Sequence, residues 1–215
     1  MTWECQSTLI IMLTTIVERG RNKCHKYWPE VGDTVDFGIL SVTNVKENIG
    51  DHFVFREFTI LHKTSQEVRQ VTQMAYLSWP DHGVPENSED FVAFVEAVRS
   101  NRQGSLYPTI VHCSAGIGRT GVIILMETAL YLIEANQPVY PLDLTRVMRD
   151  QRGSMIQTPH QYKFVCQAIL NVFEEGKVQP SPEFCQSSSG ATVTASNNNN
   201  ATEPPTGSIP AASDS

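Results

Sequence analysis

The densest chemistry in this 215-residue chain lies in Cys113-Ser114-Ala115-Gly116-Ile117-Gly118-Arg119, preceded by Val111-His112 and followed by Thr120-Gly121. A short apolar strand ends at Cys113, and an apolar helix begins near Thr120. Two glycines between them let the backbone turn its N–H groups inward. Such a nest at a helix N-terminus binds a tetrahedral dianion. Arg119 adds a planar fork suited to phosphate oxygens. The same positive field stabilises a thiolate at Cys113. A thiolate at the bottom of a phosphate cradle is a nucleophile aimed at phosphorus. Taken alone, a Cys and an Arg at this spacing also suit a structural turn with a buried thiol.

Phosphoryl transfer to Cys113 requires a proton for the leaving group. Asp81 is a candidate donor, because Pro80 and His82-Gly83 set it in a loop that could close and open. An Asp in a turn is equally favoured for its local hydrogen bonds. Gln157 and Gln161 flank the start of the last helix, where a neutral amide can hold a water without competing as a nucleophile. The Thr120 hydroxyl is placed to bond the Cys113 sulfur and to cap the helix, two compatible roles.

These residues carry a resemblance. His112 to Gly121 resembles the signature loop of the protein tyrosine phosphatases that work through a cysteine. Three further segments match that family in order: Lys23-Cys24-His25-Lys26-Tyr27-Trp28-Pro29, Trp79-Pro80-Asp81-His82-Gly83-Val84-Pro85, and Gln157-Thr158-Pro159-His160-Gln161-Tyr162. The likeness runs from Trp3 to about Gln179. Met126-Glu127-Thr128-Ala129 and Tyr140-Pro141-Leu142-Asp143 are most similar to the non-receptor type with FERM and PDZ domains.

The resemblance implies an activity and a division of labour. Phosphotyrosine in proteins is hydrolysed through a cysteinyl-phosphate, without metal or cofactor. Cys113 is the nucleophile, Asp81 the general acid and then base, and Arg119 the phosphate ligand. Gln157 positions water, assisted by Gln161, and Thr120 serves the departing sulfur. His112 tunes the surroundings of Cys113. Ser114, Ala115, Gly116, Ile117 and Gly118 line the phosphate site with Asp81, Arg119, Gln157 and Gln161. Glu18 pairs with Arg119 as structural support. Neutral side chains at Ser114, Ala115 and Ile117 favour phosphotyrosine over an inositol headgroup. The location implied is cytoplasmic, with attachment to the membrane skeleton in a longer form. Family domains carry further sequence before Trp3, including an aromatic that stacks on the substrate ring. Its absence here leaves two alternatives open: a phosphoprotein-binding module with little turnover, and a dual-specificity phosphatase. It also predicts uncovered apolar surface and an open strand edge.

The elements that must position these groups are legible as periodicity. Thr8 to Val17 reads as a buried strand. Val35 to Val45, Phe53 to His62 and Glu67 to Ser78 alternate with a period near two, and Pro108 to His112 is a short strand. Helices follow. Asn87 or Ser88 caps one whose Phe91, Val95 and Val98 share a face. Gly121 to Glu134 is apolar nearly all round, Leu142 to Arg152 is amphipathic, and Thr158-Pro159 opens the last. Tyr162, Val165, Ile169, Val172 and Phe173 form its expected inner face. The fold class is α/β, a twisted mixed central sheet flanked by helices.

Composition limits the partners. With 16 basic and 23 acidic residues the net charge is −7, which excludes a general electrostatic grip on nucleic acid. No apolar run reaches a membrane span. Five cysteines, irregularly spaced and without a C-x-x-C pair, indicate neither a zinc module nor a disulfide framework. From Pro180 the composition turns to Ser, Asn, Pro, Thr and Ala, so residues 1–179 are expected to form the domain and 180–215 a disordered tail.

Overall fold

Leu9–Met12 (β1) is apolar at every position and buried at every position. That pattern belongs to a strand covered on both faces, as parallel neighbours require. β1 pairs in parallel with Glu67–Tyr76 (β7) on one side and Ile110–His112 (β8) on the other. In this computed structural model, which describes residues 1–80, 83–102 and 104–185 apart from the side chains of Glu183 and Cys185, six strands form one mixed sheet. Its order is β4-β5-β6-β7-β1-β8, where β4 is Thr34–Phe37, β5 Leu40–Ile49 and β6 Phe53–His62. β4 through β7 form an antiparallel meander. Val17–Glu18 (β2) and Arg21–Asn22 (β3) make a separate small hairpin. Asp81 and the stretch 186–215 lie outside the described residues.

The two faces of the sheet carry different layers. Leu9, Ile11, Met74 and Tyr76 face Glu89–Arg102 (α1), Gly118–Glu134 (α2) and Pro159–Glu174 (α4). Ile10, Met12, Val54, Phe58 and Val71 face an irregular layer of Trp3, Tyr27 and Trp28. The helices of the core therefore cover one face. α2 is the central element: Val122, Leu125, Met126, Ala129 and Leu130 are free of solvent. Burial of each large apolar side chain contributes about 1.5–3 kcal/mol. Pro141–Gln151 (α3) lies outside it, with only Thr145 buried.

Several expected boundaries shift. The strand expected over Thr8 to Val17 is Leu9–Met12 alone, because the chain then leaves the sheet to build the β2–β3 hairpin. The run Val35 to Val45 is two strands, folded back at Gly38, whose φ of +63° suits glycine. α2 begins at Gly118 rather than near Thr120. Phe173, expected on the inner face of α4, is 55% exposed, while Val165, Ile169 and Val172 are buried as expected. Pro182–Cys185 (α5) forms one helical turn, entered through a Ser181 N–H that donates to the Glu134 carbonyl. β8 ends the sheet, and Phe37, Ile39 and Ile49 are exposed near its other side.

Candidate active site

Cys113 follows β8 directly and is 8% exposed. Its sulfur accepts from the Gly116 N–H at 3.2 Å and from the Thr120 hydroxyl at 3.3 Å. Burial pushes the thiol up, but these donors, with the Thr120 and Ile117 N–H groups, outweigh it and hold the thiol below its ordinary value. Thr120 therefore serves the sulfur. The cap position of α2 is Ile117, without a side-chain cap.

The two loop glycines have different reasons to be glycine. Gly116 has a φ of +71°, the left-handed turn that aims its N–H at the sulfur. Gly118 is instead a close approach: a Cβ there would lie 3.0 Å from Gln161 Nε2 and 3.4 Å from Gln157 Oε1. The loop is braced from behind by Arg152, which donates to the Ala115 carbonyl at 3.3 Å. No sequence pattern marked Arg152.

Arg119 is held by three elements. Its Nη1 donates to the Leu13 carbonyl at 3.0 Å and to Glu18 Oε1 at 2.6 Å. Its Nη2 donates to Glu18 Oε2 at 3.0 Å and to the Pro80 carbonyl at 3.5 Å. Glu18, at the end of β2, is 6% exposed and also accepts from Thr14 Oγ1 at 2.9 Å. Burial raises its carboxyl, yet the Arg119 and Thr14 hydrogen bonds bring the net value below the ordinary 4.5.

A cleft of about 550 Å³ brings together Glu18, Cys113, Ser114, Ala115, Gly118, Arg119, Gln157 and Gln161. Lys23, Trp79 and His160 also line it. Lys23, Trp79 and His160 stood in quoted motifs without an assigned role. Gly116 and Ile117 supply backbone donors to the sulfur and form no part of this lining. Trp79 packs beneath Arg119, whose Cζ is 5.5 Å from its ring centre, and its Nε1 donates to the Gly83 carbonyl at 3.2 Å. That bond joins Trp79 to Gly83, which flank Asp81 in the sequence; Asp81 itself lies outside the described residues.

Gln157 and Gln161 reach the cleft by a shared construction. Thr158 caps α4, accepting from the Gln161 N–H at 3.2 Å. Gln161 Oε1 accepts in return from the N–H groups of Thr158 and Gln157, at 3.3 and 3.0 Å. This reciprocal cap makes Gln161 a buried structural residue. Gln157 is exposed to the cleft. Just before it, Ile156 adopts a φ of +58°, a costly conformation for a β-branched residue. Its N–H donates to the Ile117 carbonyl at 2.9 Å, and Arg149 clamps the Met155 and Ile156 carbonyls at 2.8 and 2.9 Å.

On the far side of Cys113, His112 is half-buried. Its Nδ1 lies 3.2 Å from the Cys113 carbonyl oxygen and its Nε2 2.7 Å from the Tyr27 hydroxyl. Burial lowers its pKa, so the neutral ring is favoured. Among the described residues no helix is long and apolar enough to cross a membrane.

Comparison with known proteins bears on all of these residues together. The family model "Protein-tyrosine phosphatase" matches residues 1–171. "Tyrosine-protein phosphatase non-receptor type 4" of Mus musculus is 58% identical over 180 residues, 84% of this chain and 19% of the relative. "Tyrosine-protein phosphatase 1" of Caenorhabditis elegans is 55% identical over 184 residues, 86% of this chain and 18% of the relative. "Receptor-type tyrosine-protein phosphatase H" of Homo sapiens is 37% identical over 182 residues, 84% of this chain and 16% of the relative. The chain thus spans about a fifth of the length of these first two curated relatives. A match over four-fifths of the sequence, with relatives more than half identical over 180 residues or more, shows that the chain belongs to the protein-tyrosine phosphatase family.

Proposed function

We propose that this chain hydrolyses phosphotyrosine in proteins, with residues 1–179 acting as the catalytic domain. The Cys113 thiolate attacks phosphorus and the bond to the phenolic oxygen breaks. Asp81 gives its proton to that oxygen, and tyrosine leaves. Arg119 and the loop N–H groups carry the charge of the transferring phosphoryl group. Gln157 then orients a water against the cysteinyl-phosphate, with Gln161 holding the segment on which Gln157 stands. Asp81 takes the proton from water, phosphate forms, and sulfur leaves as a thiolate to which the Thr120 hydroxyl donates. Ser114, Ala115, Gly116, Ile117 and Gly118 form the cradle.

The observation that carries this reading is the donor set on Cys113 beside an arginine already oriented by Glu18. A thiol kept below its ordinary value next to a fixed cation is a nucleophile for a dianionic ester. The names of the relatives support tyrosine as the phosphorylated residue, and the non-receptor type among them supports a cytoplasmic setting. Attachment of a longer form to the membrane skeleton is part of the same proposal.

Phosphate release from a phosphotyrosyl peptide, with reductant and without added metal, tests it. We expect turnover that Cys113→Ser abolishes and Asp81→Ala reduces by about 10²–10⁴-fold. A folded chain without turnover would overturn the enzyme reading and leave a phosphoprotein-binding module. Equal rates on a phosphothreonyl peptide would replace strict tyrosine specificity by dual specificity.

A further inference from the structure

Behind the cysteine loop a row of polar side chains crosses the sheet on the face opposite α1, α2 and α4. Register pairs Glu47 of β5 with Arg56 of β6, and Arg56 with Gln73 of β7. All three side chains therefore stand in one line on one face. Glu47 hydrogen-bonds Arg56, whose guanidinium lies 4.5 Å from the Trp28 ring centre. Arg56 Nη1 is 2.8 Å from Gln73 Oε1, Gln73 Nε2 is 2.5 Å from the Tyr27 hydroxyl, and that hydroxyl is 2.7 Å from His112 Nε2. Gln73 is wholly buried in an apolar layer. A buried amide of this kind is retained only if its hydrogen bonds are made.

The directions of these bonds follow from one fact: a guanidinium can only donate. The Gln73 atom facing Arg56 is therefore its oxygen, and the atom facing Tyr27 is its nitrogen, which donates. The second amide hydrogen points to Met12 Sδ at 3.8 Å. The Tyr27 oxygen accepts from Gln73, and its own hydrogen goes to His112 Nε2 at 2.7 Å in preference to Met12 Sδ, a weak acceptor at 4.0 Å. Burial pushes the Tyr27 phenol up to about 12, which keeps that hydrogen in place. His112 Nε2 must then accept, so the ring proton is on Nδ1, facing the Cys113 carbonyl at 3.2 Å. The opposite tautomer would leave the Tyr27 hydrogen only the weak Met12 Sδ acceptor at 4.0 Å and set a lone pair against the Cys113 carbonyl.

We infer that Gln73, oriented by Arg56, is a positioning residue that fixes His112 as the neutral Nδ1–H tautomer and so holds the Cys113 carbonyl at the entrance of the loop. Gln73 touches neither the cleft nor Cys113. It acts through Tyr27 and His112, with every hydrogen in the chain of bonds directed toward Cys113. The kinetic consequence rests on the phosphatase reading above, but the tautomer does not.

The test is the ring ¹⁵N spectrum of His112 in the intact chain at neutral pH, assigned by its loss in His112→Gln. We expect a protonated Nδ1 and an unprotonated Nε2 in the wild type. In Gln73→Glu the new carboxylate accepts from both Arg56 and Tyr27, so the Tyr27 oxygen turns to accept from His112. The spectrum then shifts toward Nε2–H. With it, kcat falls about tenfold, the size of one hydrogen bond, at nearly constant KM. In Tyr27→Phe the donor to Nε2 is lost and the tautomers mix. A wild-type His112 found as Nε2–H, or charged, overturns the inference without any variant. An unchanged Nδ1–H ring in a folded Gln73→Glu chain removes Gln73 from the role. The expected tautomer in a chain without turnover sinks the phosphatase reading alone, and turnover with the wrong tautomer sinks this one alone.

Discussion

Glu18 holds Arg119 through both carboxylate oxygens, at 2.6 Å to one terminal nitrogen and 3.0 Å to the other, and the two residues are 101 positions apart in the chain. The pair ties the small β2–β3 hairpin to the first turn of the central helix, and so ties one wall of the cleft to its floor. Glu18→Ala leaves a mostly buried guanidinium short of a partner. We expect a loss of about 3 kcal/mol in stability and a drop in kcat/KM, read by denaturant unfolding and peptide kinetics. The glutamate carboxyl is depressed in the folded chain, so its contribution is complete above 4.5 and is lost as pH falls through the lower folded value. The stability difference between wild type and variant therefore narrows in acid.

Thr120 stands 3.3 Å from the Cys113 sulfur and heads the donors that lower its pKa against the upward pull of burial. Iodoacetamide should therefore react with the wild-type thiol at pH values below the ordinary 9.0. Thr120→Ala removes a donor to the thiolate, and the alkylation profile moves to higher pH. Profiles that coincide would show the backbone donors alone to be sufficient.

Gly121 is closely approached by another backbone. A Cβ at this position would meet the Ile156 nitrogen at 2.5 Å and its Cγ1 at 2.9 Å. Gly121→Ala must push the segment bearing Gln157 away from α2. The expected penalty is roughly 1–3 kcal/mol, with slower turnover, although alanine is the better helix former. A gain in melting temperature would refute the close packing.

Arg149 holds the strained turn at Ile156 by two hydrogen bonds to successive carbonyls, 2.8 and 2.9 Å. Lysine cannot span both as a fork. Arg149→Lys should lower stability by about 1–2 kcal/mol. Because the turn carries Gln157, hydrolysis of the cysteinyl-phosphate should slow more than its formation. A larger pre-steady-state burst followed by slower turnover is the expected signature.

The two phenylalanines of α4 provide a control on burial. Phe164 is 8% exposed and packs against Trp79 and Phe91, whereas Phe173 is 55% exposed. Truncation to alanine should cost about 3–5 kcal/mol at Phe164 and within about 0.5 kcal/mol at Phe173.

The sequence by itself determined the cysteine loop, because the groups that make it work are contiguous: Cys113, the N–H groups of the next residues, Thr120 and Arg119. Local periodicity also determined the apolar central helix and the last helix with its Thr158-Pro159 start. Tertiary structure decided what depends on residues meeting across the chain. The outward side of Phe173 follows from which neighbours α4 packs against, not from its period. The turn at Gly38 hid inside an alternating run because a hairpin of two strands keeps the same period as one. Gln161 was legible as an amide assisting Gln157, and the fold adds its second task, the reciprocal cap that supports the segment bearing Gln157. The row from Glu47 through Arg56 and Gln73 to His112 exists only because strand register aligns β5, β6 and β7. Hydrogen-bond direction along that row is set by an arginine 57 positions from the cysteine it serves, with β7, α1 and β8 between them in sequence and one chain of bonds joining them in space.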